Sequence, residues 1–307
     1  MNTPSKAGSD NPFLSVVIPC YNREETIQDA IESVLTQDYP DFDVIVVDDS
    51  STDRSLDIMK SIEDPRLTIL QNPGPRGSGV SRNYGWKRAR GKWIAFQDSD
   101  DLWLPGKLKK QMELVEQDEQ AVAVYCAMVI KPDASPDAPV IGQVPRPDIT
   151  PKSGNILPSL AFYSFISTQT VIIRHDVLEK TDGFDLEMAP IEDWELMIRV
   201  AQLGHVLFWD ENLVEQRFSE NSITKMVAKR VFAHTRVLEK NRDVISTVPG
   251  ALAHHHSRIS GGYRNLGEYA QAQHHALQAL RAGFTLRRTL ALFYILFRRS
   301  LPGFRER

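Results

Sequence analysis

Leu14–Arg23 reads LSVVIPCYNR, an apolar run of strand length that stops abruptly at polar residues. Such an uninterrupted run predicts a strand covered on both faces, the kind found in parallel sheets. The residues that follow keep to this theme. Ile27, Ala30, Ile31, Val34 and Leu35 recur at helical spacing, and Asp43–Val47 predicts a second buried strand ending on Asp48-Asp49. Ser50 or Ser51 is expected to cap the next helix, with Leu56, Met59 and Ile62 facing inward. Leu67–Leu70 predicts a third strand, and the Pro/Gly-rich Asn72–Gly79 a loop before a helix over Val80–Arg90. A strand at Lys92–Phe96 precedes a helix from Pro105, with Leu108, Met112 and Val115 on one face, and then a buried strand at Ala121–Ile130. Strand and helix in alternation predict an α/β fold with a mostly parallel central sheet flanked by helices. Ligands in such sheets bind beyond the carboxyl ends of the strands, where Tyr21, Asp48-Asp49 and Asp98–Asp101 all fall.

Phe96–Asp101 reads FQDSDD and crowds Asp98, Asp100 and Asp101 into four positions. Extended backbone would put Asp98 and Asp100 on one side. Their mutual repulsion calls for a cation or solvent between them, and oxygen-only ligands suit Mg²⁺ or Mn²⁺. A solvated acidic turn at a helix entry is the other reading of the same residues.

The 307 residues can bury a large core in one large or two smaller domains. A net charge of −4 makes no electrostatic case for nucleic acid. Cys20 and Cys126 are far apart and lack metal-ligand spacing, which argues against a disulfide framework or a structural zinc and for a reducing cytoplasm. Met1–Pro12 is polar, without the apolar core of a signal peptide, and is expected to be a loose tail.

Beyond residue 130, the proline-rich Lys131–Lys152 is expected to be a long surface loop, and Thr170–Arg174 a strand. Gly183-Phe184-Asp185 marks a turn, Ile191–Leu203 an amphipathic helix opening on Glu192-Asp193, and Val206–Trp209 a last strand. That acidic pair also complements a helix dipole. From about Ser222 the pattern is helical only, so residues 13–224 are expected to form one domain and 225–307 a helical extension. His254-His255-His256 reads as a solvated helix face, since adjacent residues on a helix point apart. Leu290–Phe297 is apolar and flanked by Arg287-Arg288 and Arg298-Arg299, too short to span a bilayer but suited to a membrane interface or to a partner chain.

Leu14–Asn22 (LSVVIPCYN), Asp43–Asp53 (DVIVVDDSSTD), Gly79–Gly85 (GVSRNYG), Phe96–Asp101 and Gly183–Leu196 (GFDLEMAPIEDWEL) together resemble, in order and spacing, the successive motifs of the family 2 glycosyltransferases. The resemblance runs over Leu14–Thr224 and implies a GT-A (Rossmann-like) fold. It also implies a nucleotide-sugar donor, most often a UDP-sugar, a divalent cation, and inversion at the anomeric carbon. Carried over by position, Pro19 and Tyr21 would line the nucleotide pocket, Asp49 would accept from the base, and Arg82 would lie near base or diphosphate. Asp98 would hold the ribose or assist the metal, Asp100 would be the main metal ligand, and Asp193 the catalytic base. Glu192, Trp194 and Arg217 would stand on the acceptor side. The acceptor implied is a glycan or lipid-linked hydroxyl at the inner face of the plasma membrane. One departure stands out: where relatives carry Tyr-Arg-x-His, this chain has Gln216-Arg217-Phe218-Ser219, so the histidine that can touch metal or diphosphate is a serine.

A dinucleotide enzyme is argued against by the absence of glycine from Pro19–Arg23. A nucleotidyltransferase would share the sheet and the metal-binding Asp, but not an acid like Asp193 facing the nucleotide. A catalytically silent binding module acting through the C-terminal helices would need neither Asp100 nor Asp193.

Overall fold

The computed structural model describes residues 13–74, 76–132, 135, 137–217 and 227–300, with backbone only at 299–300. The expected tail at 1–12 lies outside them, as do Ser219, Ser222 and the expected domain boundary at 224/225. The elements run β1 (Leu14–Cys20), α1 (Ile27–Leu35), β2 (Phe42–Asp48), α2 (Ser55–Ser61), β3 (Leu67–Gln71), α3 (Ser78–Trp86), β4 (Trp93–Phe96) and β5 (Leu102–Trp103). There follow α4 (Lys107–Val115), β6 (Ala121–Lys131), β7 (Gly142–Val144), α5 (Leu157–Leu160), β8 (Val171–Arg174), α6 (His175–Thr181), α7 (Glu192–Val200) and β9 (His205–Arg217). Five helices close the described chain: α8 (Val227–Lys240), α9 (Arg242–Ser246), α10 (Ala251–Asn265), α11 (Tyr269–Ala282) and α12 (Leu286–Ser300).

The strands form one sheet in the order β3-β2-β1-β4-β8-β6-β9-β5, with β7 added against β6. The first four positions are parallel. β8 then enters antiparallel to both β4 and β6, and β6 pairs parallel with the bulged β9. The expected α/β sheet with a helical extension is present, parallel through its first four positions and mixed beyond them. Side chains alternate as period 2 demands. Val17, Ile45, Val47, Ile94 and Phe96 face one core with Trp86, Trp194 and Ile198. Val16, Ile18, Val44, Val46 and Ala95 face the other with Ile27, Ile31, Leu108 and Met112.

Gly85 lets helix α3 pack directly against β1 and β2. A methyl there would meet Val17 Cγ1 at 2.5 Å and Val47 Cγ2 at 3.1 Å. Overpacking of that kind costs about 1–3 kcal/mol. That matches or exceeds the ~1 kcal/mol by which alanine outranks glycine inside a helix.

Several local expectations give way to tertiary contacts. Neither Ser50 nor Ser51 caps a helix. Ser51 Oγ accepts from Asn22 N at 3.1 Å, and α2 starts at Ser55, whose amide donates to Asp53 Oδ1 at 3.0 Å. The helix expected from Pro105 starts at Lys107, after the left-handed Gly106 (φ +82°). Lys131–Lys152 is not loop throughout, because β7 folds back on Met128–Ile130. His254–His256 is no solvated face: His255 and His256 are buried. Trp194 stacks on His255 at 5.4 Å, and His255 meets the His234 ring edge-on at 5.0 Å. Burial, largest of the causes, pushes the His255 pKa down to about 4 and keeps the ring neutral. The neutral ring fits a dry contact between the C-terminal helices and α7.

Candidate active site

The carboxyl ends of β1, β2 and β4 open a crevice where the chain turns from building outward through β2 and β3 to crossing back to β4. Pairing between β1 and β4 stops at Val17↔Phe96, so Pro19 falls where the ladder on that side has ended and its missing N–H costs no strand bond. Beyond it Asn22 takes a left-handed turn (φ +50°), a conformation asparagine tolerates. Asn22 Oδ1 accepts from Thr52 N at 2.8 Å and Ser55 Oγ from Arg23 N at 2.7 Å. These bonds lock the loops after β1 and β2 together.

Tyr21 stands exposed at the rim with the Arg76 guanidinium 5.4 Å from its ring centroid. Asp49 is buried, and its two oxygens accept from Asn72 Nδ2 and Gly77 N, both at 2.7 Å. It therefore holds the Asn72–Gly77 loop in place. Next to it Asp48 Oδ2 is buried and carries no hydrogen bond.

Arg82, buried on α3, is the centre of the crevice. Its Nη2 lies 2.6 Å from Asp98 Oδ1 and its Nη1 3.4 Å from Glu192 Oε1. Burial works against the guanidinium charge, but Asp98 and Glu192 outweigh it and hold the pKa above the ordinary arginine value. Arg82 Nε and Glu192 Oε2 are both buried without a hydrogen bond, so polar valence is left over on each side of this pair.

Asp193 adjoins Glu192 at the start of α7. It accepts from Trp194 N at 2.7 Å. Its carboxyl is pushed up to about 7, by burial first and then by the Glu192 charge, with Arg82 pulling the other way. Helix α7 is set here by contacts along its length. Gly183 (φ +64°) and Phe184 dock on α3, where Phe184 N donates to Asn83 Oδ1 at 2.9 Å and Asn83 Nδ2 to Phe184 O at 2.7 Å. A Cβ on Gly183 would meet Asn83 Oδ1 at 2.5 Å. One turn into α7 the fully buried Glu195 is paired by Arg199 at 2.6 Å and by Lys240 of α8 at 3.0 Å.

Trp194, expected on the acceptor side, sits inside the fold. It is buried, with Nε1 donating to Leu160 O at 2.8 Å and its ring against His234 and His255. It anchors the helix that carries Asp193. Arg217, expected on the acceptor side, ends β9 with Asp29 at 3.3 Å, while its amide donates to Asp101 Oδ1 at 3.0 Å.

The three aspartates after β4 separate by environment. Asp98 belongs to Arg82. Asp101 is buried and takes a second bond from Gln169 Nε2 at 2.8 Å, which makes it a brace between β4, β9 and the turn before β8. Asp100 stays partly exposed, 3.2 Å from Arg23, with its carboxyl raised by burial and by the Asp98 charge. Arg23 was not singled out from the sequence. Its only signal there is its place directly after the Tyr21-Asn22 turn, since Asp100 is remote in the chain. Among the described residues no three acidic, His or Cys side chains form a ready metal cage. A cation sharing diphosphate oxygens needs only one or two carboxylates, and the oxygen-only pair Asp98 and Asp100 fits that donor set.

Residues 15–180 match the family model for glycosyl transferase family 2, and the chain belongs to that family. Asp193 lies beyond the matched segment. Escherichia coli WfaP, named UDP-Glc:α-D-GlcNAc-diphosphoundecaprenol β-1,3-glucosyltransferase, is 39% identical over 104 residues, 34% of this chain and 41% of its own. The aligned part of the chain spans about half the length of the curated relatives it matches first, 50% for one from Bacillus subtilis. Among solved structures, S. aureus TarS 1-349 in complex with UDP-GlcNAc aligns with a TM-score of 0.68 at 21% identity, over 92% of this chain and 87% of TarS 1-349. The Pyrobaculum calidifontis mannosyltransferase PcManGT, in complex with GDP-Man and Mn²⁺, aligns at 0.61 with 18% identity, over 96% and 82%. These likenesses show a shared GT-A type fold.

Proposed function

We propose that this protein transfers a sugar from a nucleoside-diphosphate donor, a UDP-sugar first of all, to a hydroxyl of a glycan or lipid-linked acceptor, with inversion at the anomeric carbon. The observation that carries the reading is the linked group Asp98–Arg82–Glu192 beside an Asp193 whose pKa is pushed up to about 7. A single displacement needs positive charge where the diphosphate departs and a base on the opposite face of the sugar. Arg82 supplies fixed charge at the first place, and Pro19, Tyr21 and the loop held by Asp49 flank the nucleotide. Asp193 takes the acceptor proton, and a base with pKa near working pH suits that task. Asp100, helped by Asp98, would hold Mn²⁺ or Mg²⁺. When bound, that cation neutralises charge growing on the leaving diphosphate.

WfaP, by its name, uses UDP-glucose and an undecaprenol-diphosphate-linked acceptor, and the TarS structure holds UDP-GlcNAc, which supports this choice of donor and acceptor. The B. subtilis relative is named for teichuronic acid biosynthesis, which supports a role in surface or secreted polysaccharide assembly. The reading puts the enzyme in the cytoplasm, at the inner face of the plasma membrane where such an acceptor presents its head group.

The test is release of nucleoside diphosphate from UDP-, GDP- and dTDP-sugars by the purified chain, with Mn²⁺ or with chelator. Release from one nucleotide class, lost with chelator and in Asp100→Ala, is expected. Binding of a sugar nucleotide without release, with any acceptor supplied, would move the protein to the silent binding class. Release of pyrophosphate from a nucleoside triphosphate would instead mark a nucleotidyltransferase.

A further inference from the structure

We propose that the outer face of α12 seats the protein on an anionic lipid surface. On its inner side α12 is fixed to the body of the molecule. Ile295 is buried and packs with Leu292 against Tyr269, Ala272 and Ala276 of α11. Arg288 donates to Gly283 O at 2.6 Å and to Ser257 Oγ at 3.2 Å. At roughly 100° per residue, Leu286, Leu290, Phe293 and Phe297 fall within about 60° of one another on the opposite side. All four are between 59% and 70% exposed. Four large apolar side chains in one unbroken stripe form a contact surface and are not scattered surface residues.

Charge decides what covers the stripe. Tyr269–Ser300 holds five arginines and no aspartate or glutamate, in a chain whose net charge is −4. Arg287 and Arg298 project from the same flank of the helix by that spacing, and Arg298 Nε donates to the Tyr294 hydroxyl at 3.0 Å. Apolar stripe, aromatic edge and basic flank are the pattern of a helix lying in a lipid interface, its arginines reaching the head groups. A second copy docked face to face would bring arginine rims together with no acid in this segment to offset them. Among the described residues no helix, α12 included, is long and apolar enough to cross a membrane.

The experiment is co-sedimentation of the full chain with vesicles of phosphatidylcholine alone and of phosphatidylcholine with phosphatidylglycerol, at low and physiological salt. Binding is expected with phosphatidylglycerol and is weakened by salt. Arg287→Gln/Arg298→Gln should weaken it about 30-fold, two arginines near an anionic surface being worth that much. Leu290→Glu/Phe293→Glu should abolish it, with an unchanged melting midpoint because both side chains lie outside the core. Three results would overturn the proposal: wild type staying in the supernatant, equal binding to both vesicle types, or a dimer by light scattering that Phe293→Glu disperses.

Discussion

Asp193→Asn should cut sugar transfer by about 10²–10⁴-fold, the usual worth of a positioned general base, while donor affinity stays within a few fold of wild type. The amide keeps the volume and still accepts from the Trp194 amide, but it cannot take a proton. In the wild-type enzyme the rate should climb as pH rises through about 7, where the buried carboxyl gives up its proton. Stability should move the other way. Burial raises the Asp193 pKa, so between the ordinary carboxylate range and about 7 the native state holds a proton that the unfolded chain releases. Native stability therefore falls as pH rises through that window, and the asparagine variant, lacking the charge, should melt no lower than wild type above it. A pH–rate profile with melting curves checks both. An unaltered acid limb in a still-active Asp193→Asn would remove Asp193 from the chemistry.

Arg82→Leu should cost about 3 kcal/mol of stability and abolish donor binding. Removing one partner from a buried ion pair typically costs 3–5 kcal/mol, because the other charge is left unpaired. The lower end applies here, since the Asp98 side chain keeps 24% of its exposure and Glu192 13%. The Asp193 pKa should also rise, as read from melting curves against pH, because the Arg82 charge is among the influences that lower it. Arg82→Leu/Glu192→Leu should lose less than the sum of its single variants, as expected of residues in one network. Denaturant melts of the four proteins measure this coupling. Strict additivity would mean that Arg82 and Glu192 do not work as a pair.

The strands that build the crevice were legible because each is a short apolar run with its polar cluster at one end. Leu14–Cys20 and Asp43–Val47 announce both their burial and their carboxyl termini. Local chemistry was a poorer guide wherever a distant partner decides. Ser51 looks like a helix cap until Asn22 claims its hydroxyl. β5 is two residues long and exists because β9 pairs with it, and β7 emerges from a proline-rich stretch because β6 offers it an edge. His254, His255 and His256 do point apart, as adjacent helix residues must. What covers them differs: His254 meets Phe162 and Tyr163, His255 meets Trp194 and His234, and His256 meets His275 at 3.0 Å. Periodicity reports which face a residue occupies; it says nothing of what packs on that face.

The site residues divide in the same way. Asp98 and Asp100 could be singled out because clustered acids at a strand end are conspicuous, whereas Asp193 stood out only through the family resemblance. That Asp98 pairs with Arg82, that Asp100 faces Arg23, and that Asp101 is structural depend on groups brought together from α3, the loop after β1, the end of β9 and the turn before β8. Trp194 has the apolar bulk of a pocket wall, and it is α5, α8 and α10 that make it an anchor.

The most direct measurement is thermal melting of wild type and Asp100→Ala against UDP, GDP and dTDP, each with and without Mn²⁺. A ligand at about 100 times its Kd adds ~2.7 kcal/mol to the native state, enough to move the midpoint visibly. A shift with UDP is expected in wild type, one that needs Mn²⁺ and disappears in Asp100→Ala. A wild-type midpoint unmoved by every nucleotide, or a shift indifferent to both Mn²⁺ and Asp100, would contradict it.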